Sequence, residues 1–86
     1  MQLNLGQYYI SPIDLKDAWS ICNFCVANED RLKRYFPKTL EQNLTPDLSK
    51  IFVKKKVKQF NNQEEFLFTI KANESHKQLL GLIYIK

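Results

Sequence analysis

The sequence predicts an α+β domain in which a three-stranded sheet is covered by two main helices and one short helix. The first observation behind this prediction is the order of patterns along the chain: strand, helix, short helix, helix, strand, strand. The second is a period-2 alternation of aromatic and β-branched residues towards the C-terminal end, which is typical of a strand. The third is a pair of helix-start signals, each followed by apolar residues at helical spacing.

The first strand and the first main helix are predicted on either side of a proline. Gln7–Ser11 contains strand-forming residues, and Pro12 ends this strand because proline lacks a ladder donor. Asp14 is the predicted N-cap, with Asp17 three residues later as a capping-box partner. The helix should run over Leu15–Ala27. Its apolar residues recur at helical spacing and form one predicted buried stripe, flanked by Ile21 and Phe24: Leu15, Ala18, Trp19, Cys22, Cys25 and Val26.

The middle of the chain predicts a short helix, a loop and the second main helix. Glu29–Phe36 forms a short helical turn that Pro37 terminates, and Lys38–Leu44 is a loop. Thr45, followed by a proline and an acid, is a strong helix start. The threonine caps the first turn, the proline suits the first helical position, and the acid faces the positive end of the helix dipole. The helix should continue to about Asn61.

The C-terminal stretch predicts a hairpin. Glu65–Lys71 alternates as a strand, Ala72–Lys77 is a polar turn, and Gln78–Lys86 is a strand that is apolar on both faces. Strict alternation places Leu80, Leu82 and Tyr84 on one face and Leu79, Ile83 and Ile85 on the other. Such a strand is normally central in a sheet and covered above and below. Because the sequence stops on it, we expect an open sheet edge and a single domain, residues 1–86, that is truncated.

Length and composition favour one small folded domain. Of the 86 residues, 44% are hydrophobic and 13% aromatic, which argues against disorder. The formal net charge of +4 is a mild basic bias that favours anionic partners. No apolar run approaches the roughly 20 residues of a membrane span, and the N-terminus lacks a signal-peptide pattern. We therefore expect a cytoplasmic protein without a membrane partner.

Two motifs have both a structural and a functional interpretation. Cys22 and Cys25 form one CxxC pair without a second pair, so we favour buried core thiols over a metal or redox site. Lys54–Lys58 holds four lysines, with no arginine and no interleaved aromatic residue. A solvated helix face is therefore favoured over a nucleic-acid patch.

A basic-aromatic cluster follows the first main helix. It consists of Arg31, Arg34, Tyr35 and Phe36. In one interpretation the two aromatic residues cap the core and the arginines are exposed. In the other, the cluster forms a wall for a peptide-like acceptor.

The positions of the glycines indicate whether the sequence contains a phosphate-binding loop for a cofactor. Pyrophosphate groups are usually held by backbone amides at a glycine-rich helix N-terminus. The chain has two glycines, Gly6 and Gly81, and neither opens a predicted helix. We therefore predict no cofactor-binding residue in this sequence. Because the CxxC pair stands alone, we also predict no metal site.

Several local strings, taken in order, resemble the GNAT-type N-acetyltransferases, and most closely the branch that includes the ribosomal-protein-alanine N-acetyltransferases. Tyr9–Ala18 is similar to that family's opening strand and helix start. Arg34–Pro37 is similar to the step after its first helix, Phe66–Lys71 to its second strand, and Leu80–Lys86 to its third strand, where a glycine near the start is usual. The resemblance covers essentially the whole chain.

The resemblance implies the N-terminal half of an acyl-CoA N-acyltransferase fold. An intact member transfers acetyl from acetyl-CoA to a protein or peptide amine. The family's pyrophosphate loop, Q/R-x-x-G-x-G/A, has no match here, so we expect this chain alone to bind no cofactor and to be inactive. By the same resemblance, Tyr35, Phe36, Thr39 and Tyr84 would line the acceptor side, and no general base can be assigned.

The alternative to this half-enzyme is a small interaction module that self-associates. An unpaired apolar strand invites pairing with a second chain. In either case we expect a homo-oligomer that forms through the open sheet edge.

Overall fold

The structure is a computed structural model that describes residues 2–73 and 78–85. The described strands are β1 (Leu3–Asn4), β2 (Tyr8–Pro12), β3 (Phe66–Ala72) and β4 (Leu79–Ile85). The described helices are α1 (Ala18–Ala27), α2 (Glu29–Tyr35), α3 (Pro37–Glu41) and α4 (Pro46–Asn61). The strands form one antiparallel sheet in the order β1-β2-β3-β4. The α+β class is thus confirmed. Most of the predicted turn at 72–77 lies outside the described residues.

The prediction of three strands is wrong, because a short N-terminal hairpin adds a fourth. Leu3 pairs with Ile10 and Asn4 pairs with Tyr9. The turn between the two strands passes through Gly6, whose φ of +86° lies in the left-handed region that glycine adopts without strain. The amide of Gly6 donates to Asn4 Oδ1 at 3.0 Å. A two-residue strand is too short to show an alternating pattern, which explains why the sequence did not predict it.

The predicted start of the first main helix is confirmed. Asp14 caps a 3-10 turn over Leu15–Asp17 that leads into α1, and its side chain accepts from the amide of Lys16 at 2.9 Å. The Asp17 carboxylate accepts in return from the amide of Asp14 at 2.8 Å, which completes the capping box. The predicted buried stripe is wrong at three positions. Leu15, Trp19 and Val26 are exposed, whereas Ile21, placed on its flank, is fully buried.

The prediction of a loop over Lys38–Leu44 is also wrong. Pro37 ends α2 and is at the same time the first residue of α3, a position that suits its fixed φ. Asn43, which is fully buried just after α3, donates from its amide to the carbonyl of Thr39 at 2.8 Å and accepts from Ser49 Oγ at 2.8 Å. These bonds tie the end of α3 to α4. The fold therefore has two main helices and two short ones among the described residues.

The second main helix begins and ends where the sequence predicts. Thr45 caps α4 by accepting from the amide of Leu48 at 3.2 Å. The buried side of α4 contains Phe52 and Val53, while Ile51 is exposed. None of the helices in the described part of the chain is long and apolar enough to cross a membrane.

The pairing of β3 with β4 contains a bulge that changes the faces of the last strand. Ile70 pairs with Gly81, and Lys71 pairs with Leu79, so Leu80 is the extra residue. Leu79 consequently shares a face with Leu82 and Tyr84, and it is buried, whereas Leu80 is half-exposed. The predicted face of Leu79 is therefore wrong, and Leu80 is the unpaired residue of the bulge.

The helices cover one face of the sheet, which we call the helix-side face. It presents Leu67 and Thr69, both with 0% exposure, to α1 and α4. It also presents Lys71, whose Nζ lies 2.5 Å from Asp17 Oδ1. Both side chains of this ion pair are largely buried, with exposures of 13% and 4%. The pair joins the start of α1 to the middle of the sheet.

The other face, which we call the open face, is less well covered. An open groove of about 340 Å³ runs across it, lined by Gln2, Leu3, Ile10, Phe68, Ile83 and Ile85. At one end, Phe60 of α4 makes edge-to-face contacts with the rings of Phe66 and Phe68, at 5.1 and 5.4 Å between centroids. β4 is the last strand in the sheet order, so its outer edge has no strand partner among the described residues.

Candidate functional site

All four predicted acceptor-side residues line one cavity of about 240 Å³ on the helix side of the molecule. Tyr35 and Phe36 come from the end of α2, Thr39 from α3 and Tyr84 from β4. The complete lining is Phe24, Arg31, Leu32, Tyr35, Phe36, Thr39, Leu80, Gly81, Leu82 and Tyr84. Arg34, the other arginine of the basic-aromatic cluster, is not part of it.

The aromatic residues at the mouth of the cavity are available for contact. Tyr35 is 65% exposed and Phe36 is 53% exposed, so a large part of each ring faces solvent. This favours the wall interpretation over the one in which the two rings cap the core. Together with half-exposed Leu80, they form an apolar rim, and contiguous exposed apolar surface of this kind marks interaction sites.

Three side chains of the lining, Phe36, Thr39 and Tyr84, contact one another. The rings of Phe36 and Tyr84 stack with their centroids 6.4 Å apart and an interplanar angle of 26°. Tyr84 Oη and Thr39 Oγ1 share a hydrogen bond of 3.0 Å. Thr39 is held in turn through its carbonyl by the buried amide of Asn43. A chain of polar contacts therefore runs from α4 through α3 to the hydroxyl of Tyr84.

A compensated charge lies against the ring of Tyr84. Lys56 Nζ lies 5.6 Å from the centroid of Tyr84 and 5.6 Å from that of Phe52, within cation–π range. The same ammonium donates to Glu65 Oε1 at 2.9 Å. The lysine run therefore is not uniformly a solvated helix face, because the Lys56 side chain is only 13% exposed.

The two titratable groups near the cavity with shifted pKa values both keep their protons at neutral pH. Burial is the main cause that raises the pKa of Tyr84, and the charges of Cys25 and Glu65 add to it, while the Thr39 hydrogen bond acts against it. Burial, with a smaller contribution from Cys22, raises the pKa of the Cys25 thiol to about 11. The tyrosine can therefore donate a hydrogen bond but cannot serve as a base. The thiol is fully buried and is not a thiolate nucleophile.

Both cysteines are core residues, as predicted. Cys22 is 5% exposed and Cys25 is 0% exposed, and both are free thiols. In residues 2–73 and 78–85, no three His, Cys, Asp or Glu side chains come together in a way that could hold a metal ion.

None of the helix starts among the described residues has the glycine-rich loop that usually holds a pyrophosphate such as that of acetyl-CoA. That group needs exposed backbone amides at a helix start that a ligand can approach closely, which is the usual role of glycine. Gly6 lies in the N-terminal hairpin turn and Gly81 in β4. The N-terminal residues of α1 to α4 follow Asp17, Asn28, Phe36 and Thr45, none of which is a glycine.

Sequence reasoning missed part of the cavity. Leu80 lines it because of the bulge, and a bulge leaves no trace in the alternation of apolar residues when both faces are apolar. Phe24 and Leu32 belong to helices whose predicted spans were correct, but their partner across the cavity could not be known. The basic-aromatic cluster identified Arg31 as well as the two rings, and the family resemblance identified Thr39 and Tyr84.

The fold is similar to that of a solved enzyme. The crystal structure of ribosomal-protein-S5-alanine acetyltransferase from Vibrio fischeri matches 98% of this chain with a TM-score of 0.85 and 21% sequence identity. The match covers 45% of the Vibrio chain, so this chain spans less than half of that protein. At this identity the likeness establishes the fold, and it confirms the predicted resemblance to part of a GNAT acetyltransferase. No protein-family model and no curated protein matches the sequence.

Proposed function

We propose that this chain is the N-terminal, acceptor-side portion of a GNAT acetyltransferase whose intact form transfers acetyl from acetyl-CoA to a protein or peptide amine. The observation that carries the proposal is the cavity beside β4. It brings together Tyr35, Phe36, Thr39 and Tyr84, the residues that the resemblance assigns to the acceptor side. The fold of the Vibrio acetyltransferase supports the same class of protein.

The chemistry of the cavity suits an amine that must lose its proton. Only a neutral amine can attack a thioester, and an ammonium is disfavoured where water is excluded and no carboxylate is near. The lining is mostly apolar and contains no acidic side chain. The hydroxyl of Tyr84, held by Thr39, offers a fixed hydrogen-bonding group to a peptide that enters. In this proposal the described residues orient and desolvate the acceptor.

Acetyl transfer itself requires parts that the described residues do not provide. They contain no fitted pyrophosphate site, and the tyrosine and thiol beside the cavity are both held in their protonated forms. We therefore propose that the chain by itself is inactive. The rest of the catalytic apparatus would come from further polypeptide.

Nuclear magnetic resonance titration of the isotope-labelled chain tests this function. An unacetylated peptide should shift the backbone signals of Gly81, Leu82 and Tyr84, whereas acetyl-CoA should shift none. The variant Phe36→Ala should weaken the peptide's effect, and Trp19→Ala, which removes an exposed ring that does not line the cavity, should not. Tight binding of acetyl-CoA would contradict the half-enzyme, and absence of peptide binding would contradict the acceptor role.

The second candidate function is a self-associating interaction module. It is favoured by the free outer edge of β4 together with the apolar groove of the open face. In this alternative the occupant of both surfaces is a second copy of the chain, which pairs its own β4 edge-to-edge. A homo-oligomer that forms without any effect of peptide on the cavity residues would favour the module over the acetyltransferase.

A further inference from the structure

The lining of the cavity contains one charged side chain. Of the ten lining residues, Arg31 alone carries a formal charge. The ion pairs found within residues 2–73 and 78–85 join Lys56 to Glu65 and Lys71 to Asp17, and neither includes Arg31. Its guanidinium can therefore serve a ligand in the cavity.

Most of the charged residues that follow Arg31 in α2 and α3 have the same sign as Arg31 itself. Between Arg31 and Leu40 the sequence carries three more cations, Lys33, Arg34 and Lys38, and no acid. All three are exposed, so they add a positive field around the cavity mouth. Two acids at the start of α2, Glu29 and Asp30, line a neighbouring cleft that Arg31 also lines, so they offset part of this field.

The other cation near the cavity, Lys56, is paired with a carboxylate, so Arg31 remains the cation available to a ligand. Lys56, which lies against the ring of Tyr84, is paired with Glu65 at 2.9 Å. A ligand in the cavity therefore meets apolar walls and one positive group. An arginine in such a place binds a carboxylate through paired, charge-assisted hydrogen bonds.

From this arrangement we infer that the cavity selects an acceptor peptide with a carboxylate side chain close to its free amine. This inference rests on the proposed function, because it takes the cavity as the acceptor site. Arg31 pairs with the carboxylate and so offsets its stabilising effect on an acceptor ammonium, while the aromatic rim packs on the peptide. The same positive charge disfavours a basic side chain near the amine. Arg31 is thus a specificity-determining residue.

Three peptides of equal length test the inference with the chain as it exists. They differ only at one position near the amine, which is Asp, Asn or Lys, and each carries a C-terminal fluorophore for anisotropy titration. The Asp peptide should bind about tenfold tighter than the Asn peptide, as a charge-assisted bond of about 1.4 kcal/mol predicts, and the Lys peptide should bind weakest. The preference should shrink as salt is added.

Two variants of α2 assign the effect to one side chain. Arg31→Gln should abolish the preference for Asp over Asn and leave the affinity for the Asn peptide unchanged. Lys33→Gln, which removes an equally exposed charge outside the cavity, should keep most of the preference. Equal loss in both variants would show a diffuse field and overturn the role of Arg31. Equal binding of all three peptides to the unaltered chain would overturn the selectivity alone, whereas failure of all three to bind would overturn the acceptor site itself.

Discussion

The helix-side face and the open face of the sheet differ in the polarity and the burial of their side chains. On the helix-side face, buried Thr69 bonds to the hydroxyl of Ser11 at 3.3 Å, and Lys71 pairs with Asp17. On the open face, the groove lining is apolar apart from Gln2, and Ile85 remains 50% exposed. Buried polar groups are tolerated only where partners satisfy them. The chain therefore covers one face with its own helices and leaves the other face apolar and only partly covered.

The buried ion pair should give the largest effect. In Asp17→Asn the amide oxygen can still accept from the amide of Asp14, but the buried ammonium of Lys71 loses its carboxylate. Loss of one partner from a buried pair costs about 3–5 kcal/mol, measured by urea unfolding. Lys50→Gln, which removes an exposed lysine of α4, is the control and should cost little. Adding Lys71→Met to the Asn variant should restore much of the loss. A loss below about 1 kcal/mol would show that the pair behaves as a solvated one.

A matched pair of truncations compares the two faces directly. Leu67→Ala opens a cavity at a site with 0% exposure and should cost about 2–5 kcal/mol in the free energy of unfolding. Ile85→Ala, at a half-exposed site of the open face, should cost less than about 1 kcal/mol. Chemical denaturation of both variants at low protein concentration gives the two values. Equal costs would mean that the open face is already covered in solution.

The stability of the helix-side core should fall at alkaline pH because of Cys25. The folded chain holds the thiol proton up to a pKa of about 11, against 9.0 for a free thiol, so the unfolded chain binds fewer protons between these values. The stabilising contribution is complete below pH 9 and decreases by roughly 1–3 kcal/mol as the pH rises towards 11. Urea unfolding across this range should show a shallower decrease for Cys25→Ala than for the unaltered chain. Val53→Ala, another buried core truncation, should keep the original slope; a Cys25→Ala slope equal to it would contradict the assignment.

The smallest expected effect concerns the wall of the cavity. Thr39→Val removes the hydrogen bond to Tyr84 and should cost about 1 kcal/mol of stability. Because that bond lowers the pKa of Tyr84, its loss should raise this pKa further. Ultraviolet titration of tyrosinate absorbance measures the change, with Tyr84→Phe identifying the contribution of this residue. An unchanged titration would show that the hydroxyl pair does not persist in solution.

Capping residues and the alternation of apolar residues predicted the helix starts and the C-terminal strands, because these features depend on neighbouring residues in the sequence. The capping box at Asp14 and the Thr45 cap set the starts of two helices, and both were readable as residue types at fixed spacing. The C-terminal strands were also predicted to within a residue or two at each end. The two-residue β1, the short α3 and the bulge at Leu80 were missed, because each depends on pairing or packing with distant segments.

The residues of the candidate site could be identified from the sequence, but their convergence on one cavity could not. Tyr35 and Phe36 could be identified from their position beside Arg31, and Thr39 and Tyr84 from the family resemblance. Their convergence depends on the short α3 and on the hydrogen bond of Asn43 to Thr39, neither of which has a sequence signature. The apolar character of both faces of β4 was visible in the sequence, but only the sheet order reveals which face and which edge lack cover.

Sedimentation velocity of the 86-residue chain across the micromolar range tests most directly whether the open face and the free edge of β4 require cover. The account predicts a dimer or larger species that dissociates on dilution, and predicts that Ile83→Lys, a charge placed on the open face, shifts the population to monomer. A concentration-independent monomer for the unaltered chain would contradict the account.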